Sequence, residues 1–195
     1  MSSNLVRWGG FSATIASVMY ALTTILSLFA PQEVVFDSFA DYLLEAVFVV
    51  ALAGTLVAIA GLHALQRGRY GRLGAAGSLT AFVGYALLFV AATATTLAGR
   101  ETLDAVFPLG VLAVLVGSVL LGAATLRARV LPWWCGVLLI FGFPLSVALD
   151  VAVSGAGGIV LGAVWALVGY ALLSRGGVLA AGSARGDVAP ETKSP

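Results

Sequence analysis

One cysteine and one histidine occur in 195 residues. Cys135 alone excludes an internal disulfide and any CxxC redox pair. His63 alone cannot supply both axial ligands of a bis-histidine haem, and it reads as a hydrogen-bonded residue near a helix end. Charged residues make up 10% of the chain and hydrophobic ones 61%, whereas soluble proteins carry roughly 25% charge. A soluble globular domain is thereby excluded. Walker, HExxH and GxSxG motifs are missing too, so the common hydrolase and nucleotide chemistries have no visible apparatus. No acid or base lies in the middle of an apolar run, where ion-coupled carriers usually place one. No cofactor, metal or nucleic-acid partner is expected; the partner this composition implies is the lipid bilayer.

What the chain does have is long apolar runs. A hydrocarbon core about 30 Å thick needs about 20 apolar residues per helix, so the length allows six spans and no separate soluble domain. Residues 54–88 show the pattern most clearly: two arms without ionised side chains flank a turn holding Arg67, Arg69 and Arg72. Spans are expected at residues 8–30, 43–65, 73–97, 106–126, 132–150 and 158–173. The first is read as a retained helix, because its apolar run exceeds the roughly 7–15 residues of a signal peptide. Residues 1–175 then form one transmembrane domain, and residues 176–195 a disordered cytoplasmic tail. The expected fold class is all-α, a polytopic bundle of six transmembrane helices arranged as three hairpins.

The distribution of charge gives the orientation. Placing the Arg67–Arg72 turn inside puts nine of the ten basic residues inside and leaves only Arg100 outside. Such a bias predicts both termini in the cytoplasm of a multi-pass protein of the cytoplasmic membrane. Trp8, Trp133 and Trp134 fall at expected inner ends, as interfacial anchors. An internal repeat agrees with this map. Outward helices open alike at Arg7-Trp8-Gly9-Gly10, Arg72-Leu73-Gly74-Ala75 and Trp133-Trp134-Cys135-Gly136. Inward helices share Gly-x3-Leu near their inner ends, at Gly61, Gly122 and Gly169.

The segments GRYGRLGAAG, LRARVLPWWCG and VWALVGYALLSRGG resemble uncharacterised small six-helix membrane proteins of actinobacterial type, over most of the membrane region. That resemblance implies no activity and assigns no residue a role. In architecture alone, the three-hairpin layout also resembles the acid-resistance membrane family.

Candidate chemistry lies at the outer face. Glu33, Asp37, Asp41 and Glu45 are spaced by four, which on a helix would bring them toward one face, a solvated row or a set of oxygen ligands for a hard cation. Glu45 is expected in the first turn of the second helix, where the dipole favours a carboxylate. Asp150 sits at the unfavourable end of the fifth helix among apolar neighbours. It either faces water as a helix end, or turns inward toward Arg100, a polar helix group or a cation. Asp150, Glu45, Asp41 and Arg100 are therefore the candidate site. Thr14, Ser17, Tyr20, Thr24 and Ser27 form a polar stripe on the first helix, for helix contacts or a solute path. Pro144 should kink the fifth helix. The ridge of Gly158, Gly162 and Ala166 on the sixth is an intramolecular packing face or, alternatively, a homo-oligomer contact.

Three functional readings follow. The first is a non-catalytic structural or regulatory membrane protein; the second, a small-solute permease or channel. A membrane enzyme with an outer-face site, using Asp150, Glu45 and Asp104, is third. A cavity reaching mid-membrane beside Thr24 or Pro144 favours the permease, and a solid apolar core the first reading.

Overall fold

The computed structural model describes residues 3–29, 36, 38–100, 103, 105–153 and 155–186. It has six helices: α1 Ser3–Phe29, α2 Phe39–Gln66, α3 Gly71–Ala98, α4 Val106–Ala128, α5 Trp133–Ala152 and α6 Gly157–Gly186. All six are long and apolar enough to cross a membrane, as a multi-pass membrane protein requires. Exposed Trp8 lies in the second turn of α1, and exposed Trp133 opens α5.

Two ends differ from the expectation. α2 begins four residues before residue 43, because Ser38 and Asp41 form a capping box: the Asp41 N–H donates to Ser38 Oγ at 3.3 Å, and Asp41 Oδ2 accepts the Ser38 N–H at 3.0 Å. The S-x-x-D spacing satisfies two orphan groups at once. α6 continues to Gly186, so residues 176–186, expected in a disordered tail, are helical. The loss of apolar period after Arg175 marks the end of the apolar face, not of the helix.

The helices form a closed ring in which each packs on its neighbour in sequence and α6 packs on α1. The joints are unequal. α1 packs extensively on both α2 and α6, and α3 on α4, while the α4/α5, α2/α3 and α5/α6 joints are thinner. Glycines mark the closest approaches. A Cβ on Gly9 would lie 2.7 Å from the Gly61 Cα, and one on Gly158 2.6 Å from the Tyr20 carbonyl oxygen. On the other side, a Cβ on Gly117 would lie 2.2 Å from the Ala81 N, and one on Gly122 2.6 Å from the Gly136 carbonyl oxygen. Small residues let backbones touch, which is how helices associate where lipid removes the hydrophobic drive. At the α5/α6 seam Gly142 meets the Val164 side chain, while a Cβ on Gly157 would lie 2.5 Å from the Ser146 carbonyl oxygen. The bundle divides into two triplets, α6–α1–α2 and α3–α4–α5, with α5 the most lightly packed helix.

These contacts bear on the small-residue ridge. Gly158 and Gly162 pack on α1, against Tyr20 and Ser17, and Ala166 is exposed. They also bear on the repeat: Gly61 meets Gly9, Gly169 meets Gly10 and Gly122 meets Gly136. The recurrent glycine of an even-numbered helix approaches the opening glycine of an odd-numbered one.

Alternating helix directions put most of the arginines and the candidate-site acids at opposite ends. One end carries exposed Arg7, Arg67, Arg69, Arg72, Arg127, Arg129 and Arg175; the other carries Asp41, Glu45, Arg100 and Asp150.

Candidate functional site

At the acidic end the triplets part around a cavity of about 580 Å³ to which all six helices contribute. Its walls include Asp41 and Glu45 of α2 and Asp150 of α5, with the hydroxyls of Thr23, Ser27, Thr95 and Ser146. Apolar surface comes from Phe36, Phe48, Phe107 and Phe143. Among the described residues no arginine, lysine or histidine lines it. From the helix ends, Tyr20 and Phe143 in its walls lie about 14 Å deep at 1.5 Å per residue, near mid-membrane.

Three of the four candidate residues share this cavity, and local folding rules account for where they sit. Asp41 occupies the first turn of α2, where Glu45 was expected. It is buried, and its Oδ2 also accepts the Ser38 hydroxyl at 2.7 Å. Glu45, half-buried, lies one turn further along the same face. Asp150 is exposed, and its Oδ1 accepts the N–H of Gly157, first residue of α6, at 3.1 Å. A polar helix group is therefore its partner. The α6 N-terminus supplies the positive potential that a carboxylate lacks at the C-terminal end of α5. Arg100 is exposed and does not line the cavity. Glu33, Asp37 and Asp104 lie outside the described residues. Among the described residues no group of three or more His, Cys, Asp or Glu is placed to hold a metal ion.

The polar stripe on α1 divides by depth. Ser27 lines the cavity and donates to the Thr24 carbonyl at 2.8 Å. Thr24 Oγ1 is buried without a hydrogen-bond partner among the described residues, packed beside Gly158 of the cavity wall. Tyr20 Oη accepts the Thr55 hydroxyl at 3.3 Å and fastens α1 to α2. Thr14 donates to the Gly10 carbonyl at 3.1 Å, near the arginine end.

Below the cavity the bundle closes in layers that the sequence did not advertise. Tyr20 and Phe48 meet edge-on at 6.3 Å, as do Tyr85 and Phe143; Tyr85 meets Trp165 at 6.2 Å. Edge-to-face packing of this kind is favourable beyond area burial. Behind it lies a void of about 20 Å³ lined by Tyr85, Ser118 and Trp165, room for about one water. Phe143 and Leu161 line both spaces and form the partition between them. Pro144 follows Phe143 directly and lacks the N–H that would bond the Ile140 carbonyl. Nearer the arginine end, fully buried Gln66 donates from Nε2 to Thr125 Oγ1 at 3.1 Å. Thr125 in turn donates to the Leu121 carbonyl at 2.8 Å. This bond ties α2 to α4 and so joins the two triplets.

His63 lies by the basic turn, hydrogen-bonded through Nδ1 to the Tyr70 hydroxyl. Burial raises the Tyr70 pKa above the ordinary tyrosine value, opposed by Ser78 and Arg67, so the hydroxyl stays protonated at neutral pH.

No protein-family model, curated protein or solved structure matches the chain.

Proposed function

We propose that the protein is a small-solute permease of the cytoplasmic membrane, with both termini in the cytoplasm and its cavity open to the outside. The observation that carries this reading is the cavity of about 580 Å³, open at one end and closed at mid-depth by the aromatic layer and beyond it by Gln66 and Thr125. A volume of this order suits a small organic solute. A solid apolar bundle would instead have favoured a structural or regulatory role. The thinner α2/α3 and α5/α6 joints and the light packing of α5 leave room for the relative movement that alternating access needs. In sequence the unit remains a hairpin used three times, and the arginine bias sets the orientation. Catalysis has less support, because the carboxylates Asp41 and Asp150 each serve a helix start.

A cysteine placed beyond the partition tests alternation. Ser118→Cys lines the inner void, and the wild-type Cys135, fully buried, gives the background. A permease that turns its cavity inward exposes Cys at position 118 to a membrane-impermeant thiol reagent added on the cytoplasmic side. Complete inertness from that side at saturating reagent would rule out alternation.

A further inference from the structure

We propose that the cavity selects an organic monocation with an apolar body, a ligand class that rests on reading this cavity as a solute site. Charge is the first argument. Three carboxylates, from Asp41, Glu45 and Asp150, stand in its walls, and among the described residues no basic side chain does. Hydrogen bonds from Ser38 and Gly157 hold two of them in place. An attraction of this kind is weak across water but grows in a site walled by helices and lipid.

Form is the second argument. The carboxylates do not converge into a three-ligand metal group among the described residues, and a small hard cation demands converging oxygens. A charge spread over a larger body makes no such demand. Glu45 and Phe48, three apart on α2, present a carboxylate and an aromatic ring on one helix face. Phe107 and Phe143 add rings from α4 and α5. Aromatic faces attract organic cations, most strongly when these are poorly hydrated. Among the described residues the same walls offer an anion no positively charged side chain.

Tetraphenylphosphonium and tetraphenylborate share a shape and differ in the sign of charge, so they separate charge recognition from filling of an apolar space. Their saturable binding to the full-length protein in uncharged detergent should differ, the cation binding at least roughly tenfold tighter, about 1.4 kcal/mol. Glu45→Gln should weaken the cation severalfold and leave the anion unchanged. Val111→Trp, which fills the cavity from α4, should remove the saturable component. Equal binding of both ions, lost together in Val111→Trp, would overturn the charge preference and leave the cavity as a solute site. Absence of saturable binding, or binding indifferent to Val111→Trp, would overturn both readings. The wild-type ratio of the two ions needs no variant, so a misfolded substitution cannot blur the outcome.

Discussion

Gly117→Leu should leave little folded protein in the membrane. A Cβ at Gly117 would lie 2.2 Å from the backbone N and 2.5 Å from the Cα of Ala81. Neither is the far end of a flexible side chain, so α3 and α4 would have to move apart as rigid rods. The reciprocal position is equally tight, with a Cβ on Gly77 falling 2.6 Å from the N of Leu121. Extra methylenes forced into a packed core cost about 1–3 kcal/mol even where side chains can yield. A whole leucine against backbone exceeds that range. Gly177→Leu is the matched control, since nothing lies within 4 Å of its Cβ position. Size-exclusion profile and thermal unfolding in detergent should be lost for the first and kept for the second. Equal behaviour of the two variants would mean that α3 and α4 are not held by close backbone approach.

Phe143→Ala should join the two voids and extend the outer cavity as far as Ser118. Phe143 lines both the outer cavity and the inner void, and its ring is braced edge-on by Tyr85 at 6.3 Å. Phe→Ala in a core typically costs about 3–5 kcal/mol. The loss here should fall below that, since one face of the ring already borders open space. The functional consequence is the larger one. In a Phe143→Ala background, Ser118→Cys should become reactive to an impermeant reagent added outside, whereas Ser118→Cys alone stays protected from that side. If the two respond alike from outside, Phe143 is not the partition.

The sequence made six spans legible, because apolar runs of span length and arginine-bearing turns survive any detail of packing. Asp41, Glu45 and Asp150 were legible as outer-face candidates, since a carboxylate between apolar runs must lie near a helix end. Their partners were harder to foresee. Asp150 binding the start of α6 depends on the geometry of the turn after α5, and the short Val-Ser-Gly-Ala run of residues 153–156 does not encode that turn visibly. Arg100 was paired with the acids because it was the only base on that side, but proximity at an end does not fix a side chain inside a ring of helices. The start of α2 was readable in Ser38 and Asp41, yet the surrounding acidic row drew attention to its charge and away from capping. Gln66 and Thr125 were missed entirely. They lie 59 positions apart, and a polar residue at a helix end looks like solvent contact until the second helix is in place. The cavity itself had no linear signature: its walls come from all six helices, and it exists only where the ring parts at one end.

The central claim is that the acidic-end cavity holds water continuous with the outside of the cell. Thr23 and Ile25 test it within one helix turn of α1. Thr23 lines the cavity, whereas Ile25 is exposed on the outer surface of the bundle and is absent from the cavity wall. Each is replaced singly by cysteine, and intact cells are treated with a charged, membrane-impermeant thiol reagent. Thr23→Cys should be modified from outside, and Ile25→Cys, facing lipid at similar depth, should not. Thr23→Cys that stays unmodified, or that reacts only from the cytoplasmic side, would contradict the account.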